Sequence, residues 1–156
     1  MRDFEDGLAE AVGWVVIEAG RAEGTAGELL MLYRPVEVTA AVRDWHSSGS
    51  ALTKALRKSA SERGKVELDA LAARLEKATE GRNDVVHGEW IHVPGVASVT
   101  FRRALPKAAP AGGYVGRHWT LDRLQRLAGE YRAIERGFSD LVSEFMGLSG
   151  SGVTST

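Results

Sequence analysis

Between Thr120 and Met146, apolar residues recur at the helical period without interruption: Leu121, Leu124, Leu127, Ala128, Tyr131, Ile134, Phe138, Leu141, Val142 and Phe145. Spacings of three and four place all of them on one stripe of a single helix. Thr120 can cap that helix, and Asp122 puts an acid in its first turn. A helix this long with one apolar stripe must be covered by other elements, and the rest of the chain supplies three more helical segments.

The first runs from about Phe4 to Tyr33, with Leu8, Val12, Val15, Val16, Ala19, Ala22, Ala26, Leu29 and Leu30 in helical register until Arg34-Pro35 ends it. It contains Gly7, Gly13, Gly20, Gly24 and Gly27. Each lowers helix propensity by roughly 1 kcal/mol relative to alanine, so either the helix breaks near Gly24 or neighbouring backbones pack closely. Close packing is the expectation for at least some of them. The second segment runs from Ser50 to Arg63, with Ala51, Leu52, Ala55 and Leu56 apolar and Gly64 as its stop. The third starts near Val66 and carries Leu68, Leu71, Leu75 and Ala78 on one stripe, which extrapolates to Arg82 and Val85. Arg82 therefore falls on the buried side or beside it. Pro35 to Gly49 has no decisive pattern.

After His87 the chain becomes β-like: Trp90-Ile91-His92-Val93, the turn dipeptide Pro94-Gly95, then Val96 to Arg103. This predicts a β-hairpin. Ala104 to Gly116, rich in Pro, Ala and Gly, is expected to be a mobile loop, and residues 147–156 a disordered tail. The sum is an all-α fold, a four-helix bundle with a small β-hairpin inserted before the last helix, in one domain over residues 1–146.

A chain of 156 residues suits one hydrophobic core. It has no cysteine, which excludes disulfides, thiolate metal sites and a cysteine nucleophile, and fits a reducing compartment. The expected location is the cytoplasm. The apolar run Val12 to Ile17 is too short to span a bilayer or act as a signal peptide, so no membrane partner is expected. With 20 basic and 21 acidic residues the net charge is -1, so affinity for nucleic acid would have to come from a local patch.

One block sets chemically capable side chains in an apolar frame: Arg82-Asn83-Asp84-Val85-Val86-His87, between Gly81 and Gly88. An arginine, a carboxamide and a histidine can bind a phosphodiester, orient it and move a proton near neutral pH. On an ideal helix Arg82 and His87 stand about 140° apart, so they share no face unless the helix ends or distorts between them, whereas Asn83 and His87 do. The plainer reading makes His87 a helix-terminal cation and pairs Arg82 with Asp84, Glu80 or another helix's carboxyl end.

Arg82-Asn83-x-x-x-His87 at the end of the third helix of a small bundle resembles the HEPN superfamily, whose motif is an arginine, four to six residues and a histidine, usually with a polar residue directly after the arginine. The likeness in architecture extends over most of the chain, but it is specific only from Gly81 to Trp90. Many members are metal-independent endoribonucleases of toxin–antitoxin, antiphage and CRISPR-associated systems, acting as homodimers whose two motifs face one cleft. The resemblance implies Arg82 and His87 as the catalytic pair, Asn83 as the polar residue that orients them, RNA as substrate and an antitoxin or regulatory protein as partner. It implies no cofactor and no metal. In one branch a tyrosine two positions after the histidine is the target of a partner nucleotidyltransferase; Glu89 stands there, so that control is not expected.

Arg102, Arg103, Lys107 and Arg117 are the only charged residues between Trp90 and Leu121, a basic segment that either contacts an RNA backbone or is solvated loop. Trp45, Trp90, Tyr114 and Trp119 are candidates to stack unpaired bases, although packing in a core or interface better suits Trp90 and Trp14. His87, Glu89 and His92 do not have the spacing of a zinc site. Two alternatives to a nuclease stand: a HEPN-like module that binds nucleotide, RNA or protein without turnover, and a structural module whose interface is the glycine-containing first helix together with the stripe of the last.

Overall fold

A computed structural model describes residues 7–34, 49–60, 64–91, 98–103 and 114–147, with backbone only at 98, 99, 101–103, 114 and 115. Four helices dominate it: α1 (Leu8–Tyr33), α2 (Gly49–Ser59), α3 (Lys65–His87) and α4 (Leu121–Phe145). The expected four-helix bundle is therefore the fold, with its β-element between α3 and α4.

The start of α4 follows from Thr120, whose extended backbone lets Oγ1 accept the Arg123 backbone N–H at 3.1 Å. α1 and α3 instead begin after glycines in the left-handed region, Gly7 at φ +85° and Gly64 at φ +74°. Gly64 was expected as a helix stop but opens the next helix; its positive φ breaks the chain direction just ahead of Lys65. α2 is described only to Ala60, and residues 61–63 lie outside the described set.

Contacts fix the helix directions. Gly7 abuts Leu121 at one end of the bundle and the Tyr33 ring meets Phe145 edge-on at 5.6 Å at the other, so α1 and α4 run parallel. Gly64 abuts Leu141 and Gly81 abuts Leu127, so α3 runs antiparallel to α4. Gly49 abuts Thr79 while Arg57 reaches Glu76 and Asp69, so α2 runs antiparallel to α3. Leu8, Val15, Leu30, Leu56, Leu75, Tyr131, Ile134 and Phe138 are fully buried between these helices. Each large apolar side chain so buried contributes about 1.5–3 kcal/mol.

α2 has 11 residues against 26 in α1 and 23 in α3. Its first residue, Gly49, sits beside Thr79 and Glu23, so the N-terminal half of α1 and the last turns of α3 extend past the end of α2. Among the described residues, Asn83 and His87 lie on the step this leaves.

The expected hairpin gains a third strand. β1 (Glu89–Ile91), β2 (Ser98–Arg103) and β3 (Tyr114–Trp119) form an antiparallel sheet in that order, with Trp90 opposite Thr100 and Thr100 opposite Arg117. β3 overlaps the end of the segment expected to be loop, because Gly116 interrupts the apolar alternation that would have marked a strand. Residues 92–97 and 104–113 and the tail 148–156 lie outside the described set. Close packing is expected of at least some first-helix glycines: Gly27 is buried, while at Gly13, Gly20 and Gly24 a β-carbon would meet no other described element within 4 Å. Among the described residues no helix is long and apolar enough to cross a membrane.

Candidate functional site

α3 continues unbroken through His87, so the whole Arg82–His87 block is helical. Gly88 ends it in an extended conformation while its N–H donates to the Asp84 carbonyl at 3.0 Å. A β-carbon at Gly88 would collide with that carbonyl oxygen and stand 2.8 Å from Cβ of Thr100, so only glycine allows α3 to exit directly into β1.

Arg82 and Asn83 are brought together: Arg82 Nη1 donates to Asn83 Oδ1 at 3.1 Å. Arg82 Nη2 lies 3.8 Å from Oε2 of Glu23 on α1, and 28% of the arginine side chain remains accessible. As anticipated, Arg82 sits at the edge of the core; its acidic partner comes from α1 and not from Asp84 or Glu80. Burial raises the Glu23 pKa, and the Arg82 guanidinium pulls against that rise. Beneath the pair, Tyr131 of α4 is fully buried and its Oη has no well-formed hydrogen bond. Burial pushes the phenol up to about 12; the neighbouring Thr79 hydroxyl opposes the shift, Glu23 adds to it and Arg82 opposes it. The start of α2 closes over this group, since a β-carbon on Gly49 would stand 2.9 Å from Thr79 Oγ1 and 3.4 Å from Glu23 Oε1.

His87 is not brought to Arg82. It is exposed at the end of α3, and its side chain makes no hydrogen bond or ion pair with another described residue. Since the helix neither ends nor distorts between the two, their angular separation of about 140° stands. A single chain thus presents Arg82 and Asn83 on the flank of the step and His87 at its rim.

Of the basic segment, Arg117 has a local partner, with Nε 2.7 Å from Oδ2 of the buried Asp84. Arg102 and Arg103 end β2 opposite Val115 and Tyr114 in register, and Lys107 lies outside the described residues. Trp119 is not free to stack a base: it is 2% exposed, its Nε1 donates to Thr100 Oγ1 at 2.9 Å, and the Arg123 guanidinium covers its ring at 5.1 Å. Trp90 Nε1 donates to the Val85 carbonyl at 2.9 Å, which pins β1 to the end of α3. Trp14, expected to pack in a core or an interface, is 45% exposed and so lies outside the core; Trp45 and His92 lie outside the described residues. Among the described residues no three His, Asp or Glu side chains are arranged to hold a metal ion.

Sequence reasoning missed Glu23, Thr79 and Tyr131. Tyr131 stood in the apolar stripe of α4, and a hydroxyl in such a stripe, which needs a polar neighbour, was the available signal. Nothing in the spacing of Glu23 pointed to Arg82. Comparisons with family models, curated proteins and solved structures returned no match.

Proposed function

We propose that the protein is a metal-independent endoribonuclease of the HEPN type, in which Arg82, Asn83 and His87 act on RNA. The observation that carries this reading is the joined Arg82–Asn83 pair on the same helix end as an exposed His87 that no other described residue binds. In the proposed reaction a ribose 2′-oxygen attacks the adjacent phosphorus and its proton passes to a base. The bond from phosphorus to the 5′-oxygen breaks, and that oxygen takes up a proton, leaving a 2′,3′-cyclic phosphate and a 5′-hydroxyl. His87 serves the proton transfers, and Arg82 offsets the charge building on the phosphate oxygens. Because the two side chains diverge on one helix, the working pair combines Arg82 of one subunit with His87 of another in a homodimer. A role in toxin–antitoxin or antiphage defence, with an antitoxin or regulatory protein as partner, belongs to the same reading.

A second reading, a HEPN-like module that binds RNA, nucleotide or protein without turnover, is favoured by one observation. The Arg82 guanidinium is already engaged by Asn83 and Glu23, as expected of a structural arginine.

The test is incubation with mixed single-stranded and structured RNA in excess EDTA, comparing wild type, Arg82→Ala and His87→Ala, all verified as folded. Cleavage by wild type alone with cyclic phosphate ends supports the nuclease. Equal residual cleavage by all three marks a contaminant and removes the site. Binding without cleavage, surviving His87→Ala, selects the second reading.

A further inference from the structure

Past the start of α2, one face of α1 has no partner among the described residues. Val16 is 45% exposed and Ile17 49%, and a β-carbon at Gly13 or Gly20 would meet nothing within 4 Å. At 100° per residue, Ala9, Gly13, Val16, Ile17 and Gly20 fall within an arc of about 100°, opposite the core positions Leu8, Val15 and Ala22. No charged residue falls in that arc over residues 9–20. An apolar strip on the flank of the step that holds Asn83 and His87 is costly to leave in water.

We infer that this face of α1 is the contact surface for a second copy of the chain, packed antiparallel about a twofold axis passing between Val16 and Ile17. The sequence Gly13-x-x-Val16-Ile17-x-x-Gly20 reads the same in residue type from either end, as an isologous contact requires. About this axis Gly13 faces Gly20 of the partner subunit and Val16 faces Ile17 of the partner subunit. Each pair of large side chains is then flanked by glycines that let the helix backbones approach.

Charge complementarity selects a copy of the chain as occupant. Glu10 and Arg21 are three turns apart and stand on the same edge of the strip, within about 20° of each other. A twofold axis perpendicular to the helices sets like edge against like edge and reverses direction. Glu10 then lies within two residues, about 3 Å along the axis, of Arg21 of the partner subunit, and the symmetry repeats the pair. Both side chains are exposed and, among the described residues, are held by neighbours on their own helix, Glu10 by Trp14 Nε1 at 3.3 Å and Arg21 by Glu18 at 3.5 Å. Glu23 lies on the opposite edge and remains with Arg82.

Position along the bundle links this surface to the motif. α3 runs antiparallel to the direction of α1, and Arg82 is level with Glu23. Five residues further along α3, His87 is level with about residue 18 of α1, close to the twofold axis. The surface deepens the reading above by giving its dimer a place; it rests on that reading for what the dimer does and not for whether it forms.

The experiment is sedimentation velocity over a dilution series, with circular dichroism to confirm folding, on wild type, Ile17→Glu, Glu10→Arg, Arg21→Glu and the double reversal. Wild type is expected to be dimeric and Ile17→Glu monomeric. Each single reversal should weaken the dimer about ten-fold, with recovery in the double variant. A wild type that stays monomeric throughout, or a dimer indifferent to Ile17→Glu and to both reversals, overturns the inference. A dimer that fails to cut RNA upholds the surface and removes the nuclease; a monomer that cuts RNA does the reverse.

Discussion

Nε of Arg117 lies 2.7 Å from Oδ2 of Asp84, joining the third strand of the sheet to the middle of the Arg82–His87 block. The aspartate is 2% exposed, so its charge is compensated by a residue 33 positions away in sequence. The sheet thereby braces the motif helix. With Trp90 bonded to the Val85 carbonyl and Gly88 turning tightly over Thr100, the last turn of α3 is fixed at three points.

Breaking the Asp84–Arg117 pair should be costly. Removing Arg117 takes the nearest cation from a buried carboxylate, and because Arg117 is a third exposed, the loss expected for Arg117→Ala is about 3 kcal/mol, at the low end for buried pairs. Replacing both residues with apolar side chains should cost less than the sum of the two single changes. Urea unfolding of the double-mutant cycle measures this. Additive losses would mean that the ion pair does not hold the sheet.

Arg82 and His87 should separate in stability whatever their chemistry. Arg82→Ala removes the bond to Asn83 and leaves Glu23 part-buried without its cation, a loss of about 1–2 kcal/mol. His87→Ala removes an exposed side chain that no other described residue bonds and should fall within about 0.5 kcal/mol of wild type. Thermal unfolding compares them. Equal losses would show that His87 has a structural contact, and its variant would no longer be a clean probe of chemistry.

The helices are legible because each carries an apolar stripe at one period, and the stripe of α3 alone puts Arg82 on the buried side or beside it. Two kinds of feature were not legible. Pairings distant in sequence, such as Glu23 with Arg82 and Asp84 with Arg117, depend on which helix faces are apposed, and periodicity within one helix does not specify that. Glycines carry no side chain to declare their role. Among the described residues no other element approaches Gly13, Gly20 or Gly24, while Gly49, Gly81 and Gly88 do meet close neighbours. Residue identity could not separate the two sets.

Two glycine substitutions test that division. Gly88→Ala drives a methyl group into the Asp84 carbonyl and the Thr100 side chain, so backbone has to move, and a loss above about 2 kcal/mol is expected. Gly129→Ala, within α4, meets nothing within 4 Å and gains helix propensity, so stability should rise by about 0.5–1 kcal/mol. Denaturant midpoints at fixed m-value report both. A neutral Gly88→Ala would require another path from α3 into β1.

The phenol of Tyr131 gives the fold a specific alkaline weakness. Its folded pKa is about 12 against an ordinary value of 10.0, so between those pH values the folded chain retains a proton that the unfolded chain has released. The unfolded state then binds fewer protons, and stability falls as pH rises. The contribution is fully present below pH 10 and is lost by pH 12, amounting to about 2–3 kcal/mol for a shift of this size. Tyr131→Phe deletes a hydroxyl with no well-formed bond, so near neutral pH the change should stay within about 1 kcal/mol. Above pH 10 the variant should become the more stable protein, because it has no proton to lose. Glu23 acts in the same sense at the acid end: its raised pKa makes the fold lose stability as pH climbs through the region above 4.5, and Glu23→Gln should remove that slope. Urea unfolding at several pH values, taken as the difference between each variant and wild type, isolates each group from the other titrating residues. Parallel alkaline profiles for wild type and Tyr131→Phe would show that the hydroxyl reaches solvent and that the polar group under Arg82 is open.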